Sequence, residues 1–215
     1  MKERLALFLA QDPASVNSAW NEGISAQVQN AFHEVHDKFL DAIALIPQSR
    51  HDQSGTTATV AFVTQYYVIL ASLGDSRAVL STKKAGRMGA IQLTTDHTAS
   101  EPVEKGMVQS RGGKILRVSG IDRVNGTLVV TRSLGDARLS GLLSQTPDVT
   151  PFTRASVLEL CGELQEDARV PCFLILASDG LWDVIPNDVA VRFSSVDVGP
   201  FRAFRIASDF VACSG

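Results

Sequence analysis

Between Thr56 and Ser81 the chain passes through three short stretches rich in β-branched and aromatic residues, Thr56–Val63, Tyr66–Ser72 and Arg77–Ser81. Turn chemistry, Leu73-Gly74-Asp75-Ser76, separates the last two. Such runs divided by turn residues predict a meander of antiparallel strands. Asn125-Gly126 predicts a hairpin turn, because both residues accept positive φ, with Thr127–Thr131 as the strand that follows. Phe173–Ala177 reads as a further, buried strand. Ahead of these strands, Ile24, Val28, Ala31, Phe32, Val35, Phe39, Ile43 and Ile46 recur at intervals of three or four, which predicts an amphipathic helix ending near Pro47. Shorter helices are expected over Lys2–Ala10, Pro186–Phe193 and Phe201–Cys213. Helices gathered to one side of the strands, without strict alternation, point to an α+β fold with antiparallel sheets and away from a Rossmann-like sheet.

The length of 215 residues suits one domain with a sizeable core. A net charge of −3 gives no sign of a nucleic-acid partner, and Lys83, Lys84 and Arg87 read as a solvated loop. No apolar run approaches the ~20 residues of a membrane-spanning helix. Cys161, Cys172 and Cys213 are odd in number and widely spaced, which suits reduced, buried thiols and a cytoplasmic or nuclear setting.

The chemistry turns on carboxylates. Phe173–Ala177 runs straight into Ser178-Asp179-Gly180, which places Asp179 at the lip of a core. It either caps its own turn or binds a hard cation, since Mg²⁺ and Mn²⁺ prefer oxygen ligands. Asp96 follows a short strand in the same way. Asp75 and Asp136 sit in Gly-Asp turns, where a structural role is the default, and His97 is the histidine beside a candidate acid. His33 and His36 lie three apart on the helix, miss the metalloprotease spacing, and read as surface residues. Ser72-Leu73-Gly74-Asp75-Ser76-Arg77 is echoed by Ser133-Leu134-Gly135-Asp136-Ala137-Arg138, which is expected to be two similar tight turns. A serine-hydrolase elbow, a nucleotide-phosphate loop and a paired Cys-x-x-Cys zinc site are all missing from the sequence.

In order along the chain, Ser54-Gly55-Thr56-Thr57-Ala58, Leu73-Gly74-Asp75-Ser76-Arg77-Ala78-Val79-Leu80, Leu93-Thr94-Thr95-Asp96-His97, Arg123-Val124-Asn125-Gly126-Thr127-Leu128, Thr131-Arg132-Ser133-Leu134-Gly135-Asp136, Pro147-Asp148-Val149 and Phe173–Val184 together resemble the metal-dependent serine/threonine protein phosphatases of type 2C, the PPM-type phosphatases. The resemblance runs from Ser54 to about Val189. It implies a sandwich of two antiparallel β-sheets flanked by helices, with Mn²⁺ or Mg²⁺ bound at one edge. It implies hydrolysis of phosphoserine and phosphothreonine in phosphoprotein substrates by a metal-activated water, without catalytic residues beyond the metal ligands. Asp179 matches an aspartate that binds one of the paired metals, Asp96 matches one that helps hold a third, weaker ion, and residues 97–124 match a flap beside the site.

Two pieces of the family pattern are missing: the opening Arg-containing segment followed by Asp-Gly-His-Gly, and the late Asp-Asn pair. The single Asp-Gly of the chain is Asp179-Gly180. The chain is therefore expected to be one phosphatase-like domain over residues 1–215, incomplete at both ends, lacking N-terminal strands and the last C-terminal strand. With Asp179 and Asp96 alone, it is expected to hold at most one weakly bound ion, because paired divalent ions repel unless further carboxylates offset them. The alternative is a catalytically dead module that docks phosphoproteins or partner proteins.

Overall fold

The computed structural model describes residues 18–45, 54–162, 172–195 and 204–205. The expected helix over Lys2–Ala10, Pro47 and most of Phe201–Cys213 lie outside these residues. Helix α1 is Ser18–Ala44. Strands β1 (Gly55–Thr56), β2 (Ala58–Val63), β3 (Tyr67–Leu73), β4 (Arg77–Lys84) and β5 (Arg87–Gln92) follow. Next come α2 (Pro102–Ser110), β6 (Ile115–Val118), β7 (Ile121–Val124), β8 (Leu134–Gly135), β9 (Asp148–Thr153) and α3 (Arg154–Cys161). The described chain closes with β10 (Phe173–Ala177), α4 (Asp179–Trp182), α5 (Asn187–Ser195) and β11 (Phe204–Arg205).

Two antiparallel sheets form the sandwich, one in the order β2-β3-β9 and the other β11-β10-β4-β5. Residues alternate between the two faces of a strand, and that alternation builds the layers. Val68 and Leu70 of β3 pack against Ala78 and Leu80 of β4 and Leu174 of β10, filling the space between the sheets. Tyr67, Ile69, Ala71 and Leu73 point the other way, onto Ile24, Val28 and Phe32 of α1. Val79, Phe173 and Ile175 likewise face outward from the second sheet, onto Trp182, Ala190 and Val191. The result is an α–β–β–α stack. Strands covered on both faces need no polar side, which is why β3 is buried at every position and reads as an almost unbroken apolar run. The α+β sandwich expectation holds.

Several local expectations change. The three runs before Ser81 do not form one meander: β2 and β3 pair, but the chain leaves that sheet at Gly74–Ser76 and β4 enters the other. Arg87 opens β5, so the basic stretch Lys83–Arg87 is a hairpin and not a plain loop. Asn125 and Gly126 do have positive φ, at 48° and 76°, but Thr127–Thr131 makes isolated bridges and no strand. Phe204–Arg205 is a strand on β10, not part of a helix.

The stripe of α1 also drifts. Ile24, Val28 and Phe32 are buried as expected, and His36 continues that row at 6 % exposure, while Val35 and Phe39 are exposed. Four-residue steps stay on one face of a helix, and that face meets β8 at its far end. His36 is therefore not a surface residue; His33 is, and it bonds to Thr146. Finally, Cys161 and Cys172 are joined as a disulfide with Cα atoms 6.0 Å apart, against the expected reduced thiols. The chain returns from α3 to β10 within 11 residues, and both side chains enter the same core cluster.

Candidate metal centre

Three elements of the second sheet end at one edge and bring acids with them. Asp75 stands in the turn from β3 to β4, Asp96 lies after β5, and Asp179 opens α4 just past β10. The indole Nε1–H of Trp182 donates to the Ala177 carbonyl at 2.8 Å, pinning α4 to the end of its strand. Trp182 is buried and Leu181 packs beside it, whereas Val184 is exposed and does not return to the core as its apolar character suggests. Gly180 sits inside α4 and its φ is not positive, so helix, not a special glycine turn, directs the chain here.

Asp179 is exposed and lines a cleft of about 430 Å³ together with Asp75, Asp136, Ser133, Thr56 and Arg123. Its side chain accepts no hydrogen bond from any described residue, and no side chain caps α4. A capping aspartate would spend its oxygens on backbone N–H groups, so the turn-capping reading of Asp179 loses its basis. Asp75 carries the electrostatic mark of the site. Burial raises its pKa, Asp179 raises it further, and Asp96 and Asp183 add to the effect, with only its own backbone N–H acting the other way. Like charges gathered at a partly buried group disfavour its ionisation, although Arg77 stands close enough to feel Asp75, Asp96 and Asp183.

Asp96 stands in the same acidic group but is already engaged. Arg77 Nε donates to both its oxygens at 2.9 and 2.8 Å, Arg77 Nη2 lies 2.7 Å from Oδ2, and Gln92 Nε2 donates at 3.1 Å. Asn187 joins the ring, accepting from Arg77 and donating to Gln92. Among the described residues, no set of three or more His, Cys, Asp or Glu side chains is gathered closely enough to hold a metal ion. Asp179 and Asp75 line one cleft, and carboxylates completed by water are the kind of donor set that suits Mg²⁺.

Sequence reasoning treated Asp75 as a turn residue and passed over Asp183. The second had a readable signal: it lies four residues after Asp179, which on helical geometry returns to the same face. The first had none, because its neighbours Asp179 and Asp183 arrive from more than a hundred residues away.

His97 is 1 % exposed and belongs to a buried network. Its Nδ1 accepts from the Gly74 N–H at 3.1 Å, and its Nε2 lies 3.0 Å from Asp148 Oδ2. Arg132 bridges Asp148 at 2.7 Å and Glu104 of α2, with Nε 3.1 Å from each Glu104 oxygen, and Thr131 also donates to Glu104 at 2.6 Å. The hydrogen bond from His97, opposed by burial and reinforced by Arg132, lowers the Asp148 pKa to about 2. Burial pushes Glu104 up, but its bonds to Arg132 and Thr131 outweigh that and leave it below the ordinary value.

Comparison with known proteins agrees with this architecture. Residues 8–195 match the sequence model of the family described as protein phosphatase 2C. A probable protein phosphatase 2C 7 of rice, Oryza sativa subsp. japonica, is 34% identical over 215 residues, all of this chain and 50% of the relative. Protein phosphatase 2C 3 of Arabidopsis thaliana is 39% identical over 139 residues, 65% of this chain and 27% of the relative. The chain thus spans half or less of the length of these curated relatives. Among solved structures, a serine-threonine phosphatase 2C from Toxoplasma gondii superposes with a TM-score of 0.63 at 20% identity, covering 89% of this chain and 66% of that one. A sex determining protein of C. elegans superposes with a TM-score of 0.64 at 22% identity, over 88% and 40% of the two chains. At these identities the structures speak for the fold; the family match and the rice relative speak for descent, and the chain belongs to the protein phosphatase 2C family.

Proposed function

We propose that the chain supplies the metal-binding half of a protein serine/threonine phosphatase site that acts on phosphoserine and phosphothreonine in phosphoproteins. The observation that carries this is Asp179: an exposed carboxylate without a described hydrogen-bond donor, set rigidly at the end of a buried strand and facing a cleft it shares with Asp75. A bound Mn²⁺ or Mg²⁺ supplies a water acidic enough to attack phosphorus near neutral pH and offsets the charge of the phosphate. Asp179 and Asp75 would hold that cation. Asp96 would contribute at a weaker position, because Arg77 already occupies its oxygens. Arg123 enters the cleft from β7 with Nη1 tied to the Thr127 carbonyl at 2.7 Å, so a guanidinium is at hand for the phosphate dianion. Residues 97–124, with α2 and the β6–β7 hairpin, form the flap of this single domain.

Two carboxylates with water make a weak site, and turnover by these 215 residues alone is expected to be low. The second reading, a phosphatase-like module that docks phosphoproteins without hydrolysing them, takes its support from the closed Arg77–Asp96 pair. Mn²⁺-dependent phosphate release from a phosphothreonine peptide separates the two. The phosphatase reading expects release that Asp179→Asn reduces at least about tenfold, the scale of a lost ligand interaction. Peptide binding without release, unchanged in Asp179→Asn, overturns it in favour of docking.

A further inference from the structure

The repeated Ser-Leu-Gly-Asp turns share more than sequence. Gly74 and Gly135 both lie at positive φ, 98° and 82°, where other residues are strained. Neither has room for a Cβ, which would fall 2.3 Å from Thr57 Cγ2 at Gly74 and 2.4 Å from the Ser54 carbonyl oxygen at Gly135. In each turn the glycine N–H donates, at 3.1 Å, to Nδ1 of a buried histidine from a distant element. That histidine is His97 for Gly74 and His36 of α1 for Gly135, at 1 % and 6 % exposure. The aspartates that follow, Asp75 and Asp136, line the same cleft.

The clamps are closed from other sides too. The His97 N–H donates to the Gly74 carbonyl at 2.9 Å, so both peptide groups of Gly74 meet the same residue. The Asp136 N–H donates to the Ser54 carbonyl at 2.9 Å, while β1 and β8 pair through Gly55 and Gly135. An Nδ1 that accepts leaves the ring proton on Nε2, and His97 uses that proton toward Asp148.

We propose that His97 and His36 are positioning residues, each gripping the glycine N–H of one turn and so fixing where the next residue, Asp75 or Asp136, meets the cleft. Neither histidine touches the reacting groups. The consequence for Asp75 rests on the metal reading of the cleft; the clamps themselves do not. A histidine that only filled core volume would accept leucine in its place, and either ring nitrogen could carry the proton.

The test uses the whole chain, labelled with ¹⁵N. Ring-nitrogen shifts are expected to show both histidines protonated at Nε2 with Nδ1 free to accept, and exchange is expected to show protected Gly74 and Gly135 amides. His97→Leu should speed Gly74 exchange and weaken Mn²⁺ binding, measured by calorimetry, each about tenfold, the scale of one lost buried hydrogen bond, and leave Gly135 as it was. His36→Leu should do the converse to the two amides. His97→Asn keeps an acceptor near the Nδ1 position and should restore Gly74 protection and Mn²⁺ affinity to within about threefold. Protonated Nδ1 in the unsubstituted chain, or amide exchange unmoved by the leucine variants, overturns the clamps. If the leucine variants do not fold, the ring shifts and the asparagine variant decide. Protected amides and the expected tautomers in a chain that binds no Mn²⁺ would uphold the clamps and overturn the metal reading, whereas Mn²⁺ binding indifferent to His97→Leu would overturn the role assigned to His97.

Discussion

Asp75 and Asp136 leave turns of matching sequence and meet different electrostatics. Asp136 accepts a hydrogen bond from Ser133, three residues back, with Oγ to Oδ2 at 2.6 Å. Ser72, the matching serine of the first turn, is buried in β3, and Asp75 faces Asp179, Asp96 and Asp183 instead. The residue after each aspartate differs as well: Ser76 binds Thr57 at 2.8 Å, while Ala137 starts a short 3₁₀ turn. One aspartate is thereby bonded within its own turn; the other sits among three further carboxylates. Both glycines are left-handed, but the backbones part at the aspartate, where Asp136 also has positive φ, at 49°, and Asp75 does not; groups brought from elsewhere set the chemistry.

The largest expected effect comes from the support behind the first turn. Arg132→Met strips the partner from Glu104, whose side chain is only 6 % exposed, and should cost about 3 kcal/mol of stability in urea unfolding, as breaking a buried ion pair does. A loss below about 1 kcal/mol would mean that the first turn has no more backing than the second.

Next are the glycines. Gly74→Ala and Gly135→Ala should each cost about 2 kcal/mol, from positive φ together with the missing space. They should differ in their rescue. The obstacles at Gly74 are the Thr57 methyl and, at 2.7 Å, its Cβ, so adding Thr57→Ser removes the nearer one and should recover a small part of the loss, whereas at Gly135 the Ser54 backbone oxygen stands nearest and no side-chain change removes it. Equal rescue at both sites would erase the distinction.

The smallest effects have opposite signs. Asp75 has a raised pKa in the folded chain, so its charge opposes folding above its ordinary value and the penalty fades as pH falls. Asp75→Asn should therefore slightly stabilise the metal-free chain at pH 7, while Asp136→Ala, which strands the Ser133 hydroxyl, should destabilise it by about 1 kcal/mol. Asp148 behaves in the reverse sense. Its pKa falls from 3.8 to about 2 on folding, so its contribution is complete above pH 4 and is lost as pH drops toward 2. Glu104, also lowered, adds in the same direction. Urea midpoints measured from pH 5 to pH 2 should fall less steeply in Asp148→Asn than in the unsubstituted chain; identical slopes would remove the network from the account of acid stability.

Much of the scaffold was readable in advance. Phe173–Ala177 is a strand because a doubly covered strand is an apolar run, and Ile24, Val28 and Phe32 face the core because helical period puts them on one stripe. Asp179 was legible for the same reason: a carboxylate that directly follows such a run must stand at the edge of the core. The change of sheet at Gly74 was not legible, since a turn of the same composition can close a hairpin or cross to another layer. Nor was the burial of His36, which depends on β8 passing the far end of α1, or the disulfide, which depends on where α3 hands the chain back to β10.

By itself, the order of residues determined most of the strands, the amphipathic helix, the Asn125-Gly126 turn and the place of Asp179 beside a buried strand, because periodicity and allowed φ are properties of neighbouring residues. Only the tertiary structure decided that Asp75 joins Asp179 and Asp183, that Arg77 occupies Asp96, and that two distant histidines hold the turns. Those facts come from hydrogen bonds and charges acting over a few ångströms between groups far apart along the chain, and such distances exist only once the sheets have packed.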